Sequence, residues 1–152
     1  MTRAYVGLGA NLGDRERTLR AAVAALAEEE GIAVVAVSAL RDTEPVGVDE
    51  QPNFLNGVVA LDTTLSAREL LERLLATEQQ FGRVRLLGEH GPRTLDLDLL
   101  LFGDEVIDEP GLAVPHPHAH ERRFVLEPLA ELDPSLVVPG RGGVESLLAG
   151  VH

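Results

Sequence analysis

Leu95-Asp96-Leu97-Asp98-Leu99-Leu100-Leu101-Phe102 is the stretch on which the reading of the chain turns. Side chains alternate across an extended strand, so Leu95, Leu97, Leu99 and Leu101 are expected on one face, packed against helices, while Asp96 and Asp98 project together from the other. Two carboxylates roughly 7 Å apart in a partly dry setting repel one another. A divalent cation removes that conflict. Hard oxygen ligands of this kind suit Mg²⁺, which takes one or two carboxylates and completes its shell with water and phosphate oxygens. The plainer alternative is a pair of solvated acids at a strand end.

Upstream, extended and helical patterns alternate. Arg3 to Leu8 reads as a strand, followed by a glycine-bearing turn through Asn11, Gly13 and Asp14. Leu19, Ala22, Val23 and Leu26 then recur at helical spacing, with Asp14 as N-cap and Gly31 just past the helix end. Ile32 to Arg41 is a second strand, Asp42 to Pro52 a loop, and Asn53 to Asp62 a third strand. Ser66 and Glu69 form a capping box ahead of the amphipathic run Leu70, Leu71, Leu74, Leu75 and Phe81, which is expected to stop at Gly82. Arg83 to Thr94 reads as a mobile loop. After the strand at 95–102 come irregular, proline-rich chain, a short helix near Glu121 to Leu132 and an apolar stretch from Val144 to Val151. This β-α-β-β-α-β order predicts an α+β fold: a ferredoxin-like antiparallel sheet with two helices on one face, its other face left available, and a C-terminal extension. A single domain is expected over residues 1–152.

The chain's 152 residues hold 13 cations against 25 acids, a net charge of −12, and every cation is an arginine. Without lysine there is no Schiff base, no Gly-Lys-Ser/Thr phosphate loop and no polybasic tract for nucleic acid or an anionic membrane. Zero cysteines exclude disulfides and thiolate metal sites. No signal peptide or run of 18 apolar residues stands out, so a soluble, cytoplasmic monomer is expected.

Arg83, Arg85 and Arg93 precede the aspartate pair, and Arg122 and Arg123 follow it. Arginine grips phosphate oxygens in a bidentate fork, and acids beside arginines are what a metal-triphosphate needs. Pairing with local acids such as Glu78 and Glu89 is the competing account. In Asn53-Phe54-Leu55-Asn56-Gly57, Phe54 and Asn56 share a side: a flat apolar surface beside a group that both donates and accepts, suited to stacking and edge-reading a planar heterocycle. A core Phe54 with Asn56 at a strand edge is the alternative. The glycines of Gly7-Leu8-Gly9-Ala10-Asn11-Leu12-Gly13 are spaced one residue too widely for a dinucleotide fingerprint and read as a sharp turn, with a supporting role at a site edge as the alternative. His116, His118 and His120 lie among prolines with no acid partner inside the segment, which suits a phosphate contact better than zinc.

Gly82-Arg83-Val84-Arg85, then Gly91-Pro92-Arg93-Thr94-Leu95-Asp96-Leu97-Asp98, then Val114-Pro115-His116 closely resemble the 6-hydroxymethyl-7,8-dihydropterin pyrophosphokinase family of folate biosynthesis. Gly9-Ala10-Asn11-Leu12-Gly13-Asp14 and Gln51-Pro52-Asn53-Phe54-Leu55-Asn56 resemble it too. The resemblance implies transfer of the β,γ-diphosphate of ATP to the pterin hydroxymethyl oxygen, giving AMP, with two Mg²⁺. It implies Asp96 and Asp98 as metal ligands and Arg83 and Arg93 as catalytic arginines. Phe54, Asn56, Phe124, Thr43, Pro45 and Val46 would meet the pterin, and Glu78, Arg85, His116 and Arg122 the ATP. His90, Leu86 and Gly111 depart from residues common in the family. A module of the same fold that senses a nucleotide or small metabolite and a subunit whose acidic surface serves as a partner interface are the competing classes; paired aspartates beside an arginine loop favour the enzyme over the sensor, and the interface subunit predicts no ligand pocket.

Overall fold

The main sheet holds β1 (Thr2–Ala10), β2 (Ile32–Val37), β3 (Arg41–Thr43), β4 (Phe54–Thr63) and β5 (Asp96–Phe102). Its strands lie in the order β2-β4-β1-β5, all pairs antiparallel, and β3 pairs with the first residues of β4. The computed structural model describes residues 1–11, 13–43, 54–85 and 95–151, with 82–85 as backbone alone.

Strand β1 is central and loses solvent on both faces. Ala4, Val6, Leu8 and Ala10 join a core completed by Leu19, Ala22 and Leu26 of α1 (Arg15–Ala27) and Ala67, Leu70 and Leu74 of α2 (Ala67–Arg85). The expected caps are present. The Asp14 carboxylate accepts from the Arg17 N–H, while Ser66 and Glu69 bond reciprocally, at 2.9 and 3.1 Å. Helix α1 ends earlier than expected, at Ala27 with Glu28 as its cap. Gly31, at φ +86°, serves instead as the turn into β2, where any Cβ would lie 3.1 Å from Leu65 and Thr64.

The strand expected at Ile32 to Arg41 is broken after Val37. Ser38 leaves the ladder buried, donating from its N–H to the Val58 carbonyl and accepting from the Val58 N–H through its hydroxyl. Helix α2 runs through Gly82 to Arg85, so Arg83 and Arg85 stand on helical backbone rather than in a loop; packing of the preceding turns carries the helix past a residue of low propensity. Two unforeseen hairpins appear, β6 (Ile107–Glu109) with β7 (Leu112–Val114) in the proline-rich segment and β8 (Val137–Val138) with β9 (Gly142–Gly143) beyond the following helix.

Two departures govern the site. The register of β5 against β1 shifts between Tyr5 and Val6, so Leu95, Leu97 and Leu99 face α1 and α2 as alternation requires, but Leu101 turns to the other side. The second face is also not left open along its length. Helices α3 (Arg123–Leu132) and α4 (Val144–Ala149) cover part of it, and Tyr5, Val58, Ala60, Leu100 and Leu101 pack there against Val125, Leu126, Leu129 and Val144. The apolar C-terminal stretch is thus a second core layer.

Candidate active site

The uncovered remainder of that second face is the candidate site. On β1 the residues following Tyr5 on this face are Gly7 and Gly9, which carry no side chains. Register sets Gly9 between Asn56 of β4 and Asp96 of β5, and Gly7 opposite Asp98. Phe54, Asn56, Gly7, Gly9, Asp96 and Asp98 therefore surround one cavity of about 250 Å³, joined by Thr43, His116, Arg122, Phe124 and Val125.

Each wall has a local cause. Phe124 lies in the first turn of α3, whose apolar face (Val125, Leu126, Leu129) docks on the sheet and so fixes the ring over the cavity. Arg122, extended at φ −112° just before the helix, lays its guanidinium 5.6 Å from the centre of that ring, a cation–π contact. Asn56 donates through Nδ2 to the Thr43 hydroxyl, which leaves its Oδ1 as the accepting end of the amide.

A second cavity, of about 430 Å³, opens beyond Asp98 and His116, which line both spaces. Leu71, Leu75 and Glu78 of α2 form one wall and Gly111, Leu112 and Ala113 another. Glu78 is buried and accepts at 2.7 Å from the Leu97 N–H. As β5 is the outer strand of the sheet, its outward-facing groups need such partners; likewise the Leu100 carbonyl accepts from the His116 N–H at 2.8 Å.

His116 is held below the ordinary histidine pKa, first by burial, with Arg122 and His118 acting in the same direction against the opposing pull of Asp98. Its Nδ1 accepts from the His118 N–H at 3.2 Å. The neutral ring then carries its proton on Nε2, a donor suited to an anionic oxygen. His118 instead faces Glu121 at 2.9 Å.

Two hard carboxylates set opposite two glycines fit the coordination habits of Mg²⁺, since no β1 side chain stands over them. Arg123, counted with the phosphate-facing arginines from its place in sequence, does not join the site. It bonds the Val151 carbonyl at 2.7 Å and approaches Glu127 at 3.4 Å. Pro45, Val46, Leu86, Glu89, His90 and Arg93 lie outside the described residues, as do the side chains of Arg83 and Arg85. In sequence Gly7 and Gly9 read as turn residues, with a supporting role at a site edge as the alternative; what identifies them as the cavity floor is the cross-strand register.

Residues 5–134 match the family model described as 7,8-dihydro-6-hydroxymethylpterin-pyrophosphokinase. The chain is 48% identical over 147 residues to the 2-amino-4-hydroxy-6-hydroxymethyldihydropteridine pyrophosphokinase of Pseudomonas aeruginosa, covering 97% of this chain and 90% of that protein. The chain belongs to this pyrophosphokinase family. The Bacillus subtilis pyrophosphokinase is 49% identical over 129 residues, 85% of this chain and 77% of its own. Among solved structures, the wild-type HPPK-DHPS of Plasmodium falciparum superposes with a TM-score of 0.74 at 13% identity, covering 98% of this chain; this chain spans 41% of that one. That likeness bears on the fold alone. Membership of the pyrophosphokinase family carries the activity: pyrophosphoryl transfer from ATP to 6-hydroxymethyl-7,8-dihydropterin in folate synthesis. No helix among the described residues is long and apolar enough to cross a membrane.

Proposed function

We propose that the 250 Å³ cavity takes the pterin and the 430 Å³ cavity the nucleotide, with transfer occurring where they meet at Asp98 and His116. The supporting observation is that these two residues line both spaces. Phe54 and Phe124 stack on the pterin from either side, and Asn56, steadied by Thr43, reads its edge. Glu78 and Arg85 serve the nucleotide side, Pro45 and Val46 the pterin.

The hydroxymethyl oxygen attacks the β-phosphorus in line and AMP leaves, a displacement in which the protein contributes mainly position and charge. Asp96 and Asp98 hold magnesium, two ions in this reading, which supplies charge neutralisation of the phosphate oxygens when bound. Arg122 and the Nε2–H of His116 meet phosphate oxygens, and Arg83 and Arg93 complete the surrounding positive charge. The β2-β4-β1-β5 order supports a ferredoxin-like topology. A single domain over 1–152, a monomer and a cytoplasmic setting complete the reading.

Incubation with ATP, Mg²⁺ and the reduced pterin should yield AMP and pterin diphosphate in equal amounts. Phe124→Ala should weaken pterin binding while ATP binding is kept; unchanged pterin affinity would overturn the division into two cavities.

A further inference from the structure

Between the residue that reads the pterin and the residue that ligates the metal, β1 presents a bare backbone. Gly9 pairs with Asn56 on one side and with Asp96 on the other. A Cβ built on Gly9 would lie 3.1 Å from Asn56 Oδ1 and 3.8 Å from a Phe54 ring carbon, Cδ1. Gly9 has no positive φ, so its backbone conformation does not itself require glycine. The reason for glycine is spatial, and it lies in the site.

We infer that Gly9 is a positioning residue for pterin recognition: the missing side chain keeps the Asn56 carbonyl oxygen at the cavity floor. This rests on the assignment of the smaller cavity to the pterin. The Asn56 amide has little room to yield. Its Nδ2 end is tied to the Thr43 hydroxyl, so a methyl group at position 9 displaces Oδ1 only by turning the amide away from that bond. The same methyl also raises the floor beside the Phe54 ring. The fold, in contrast, tolerates the change, because the crowded atoms are side-chain ends and alanine reduces the freedom of the unfolded chain. A purely structural glycine would behave in the opposite way, losing stability while substrate recognition was spared.

The test compares Gly9→Ala, Asn56→Ala and the parent protein for the KM of the reduced pterin, the KM of ATP, kcat and melting temperature. For Gly9→Ala the expectation is a pterin KM raised about tenfold, kcat and the ATP KM within about twofold, and an unchanged or higher melting temperature. A pterin KM within twofold of the parent for Gly9→Ala, while Asn56→Ala raises it, overturns the role of Gly9 and leaves the cavity assignment standing. If Asn56→Ala itself leaves the pterin KM unchanged, the cavity assignment falls and the role of Gly9 with it. A large drop in melting temperature for Gly9→Ala with equal losses for both substrates also overturns the proposal, in favour of a structural glycine.

Discussion

Arg41 and Glu131 clasp across the second face of the sheet. The Arg41 guanidinium donates to Glu131 Oε1 at 2.7 Å, and the other carboxylate oxygen accepts from the Ala39 N–H at 2.9 Å. The pair ties the far end of α3 to the segment leading into β3, so one helix carries Phe124 at its start and restrains the approach to Thr43 at its end. Burial raises the Glu131 pKa, but the bonds from Ala39 and Arg41 outweigh it and hold the group below its ordinary value of 4.5. A depressed carboxylate stabilises the fold fully above that value, and the contribution is lost as pH falls through the folded-state pKa. Glu131→Gln should thus cost about 1 kcal/mol at neutral pH, an amount reduced by the pair's partial exposure, and the gap to the parent should close in acid. Urea denaturation at pH 7 and at a series of pH values descending below 4.5 measures it; a gap that does not narrow as the pH falls speaks against the charge-based account.

On the proposal that Asp96 and Asp98 hold Mg²⁺, removing one of the two neighbouring carboxylates takes a ligand from the cation that neutralises the phosphate oxygens. Asp98→Ala should lower kcat by about a thousandfold or more at saturating Mg²⁺. Near-parent turnover under those conditions would reject Asp98 as a ligand.

Stacking on an aromatic face contributes about 0.5–1.5 kcal/mol beyond area burial. Phe54→Leu, which keeps bulk and loses the ring face, should raise the pterin KM several-fold with the ATP KM little changed. Steady-state kinetics with each substrate varied in turn checks this, and parallel increases in both constants would point to a general disturbance of the site.

Leu126 is fully buried where α3 meets the sheet. Leu126→Ala should cost about 2–5 kcal/mol of stability through lost burial and the cavity left behind. Chemical denaturation gives the value; a loss under 1 kcal/mol would mean that α3 contributes little to the fold.

Arg93 is proposed as a transition-state contact. Arg93→Ala should reduce kcat strongly while the pterin dissociation constant stays within about threefold. Equal losses in binding and turnover would assign it to ground-state binding instead.

Much of the site was readable because strand alternation is a local rule. It sets Phe54 with Asn56 and Asp96 with Asp98 whatever the strands later pair with, and the capping groups Asp14, Ser66 and Glu69 act within one helical turn. The same rule misplaced Leu101, because the register shift opposite Tyr5 and Val6 arises between two strands and leaves no mark in either alone. Gly82 failed as a helix stop for a related reason: local propensity is small beside the packing of a long amphipathic helix.

The sequence by itself determined the order of the four long strands and the two helices between them, the faces on which the chemical side chains stand, and a family membership carried by motifs along most of the chain. Only the tertiary structure decided which strands became neighbours, and so that Gly9 came to lie between Asn56 and Asp96. It also decided that α3 and α4 would cover one half of the second face and leave the other half as the cavity. A period of two residues specifies a side of a strand; what lies across from it, and what covers it, depends on the burial of residues distant in the chain.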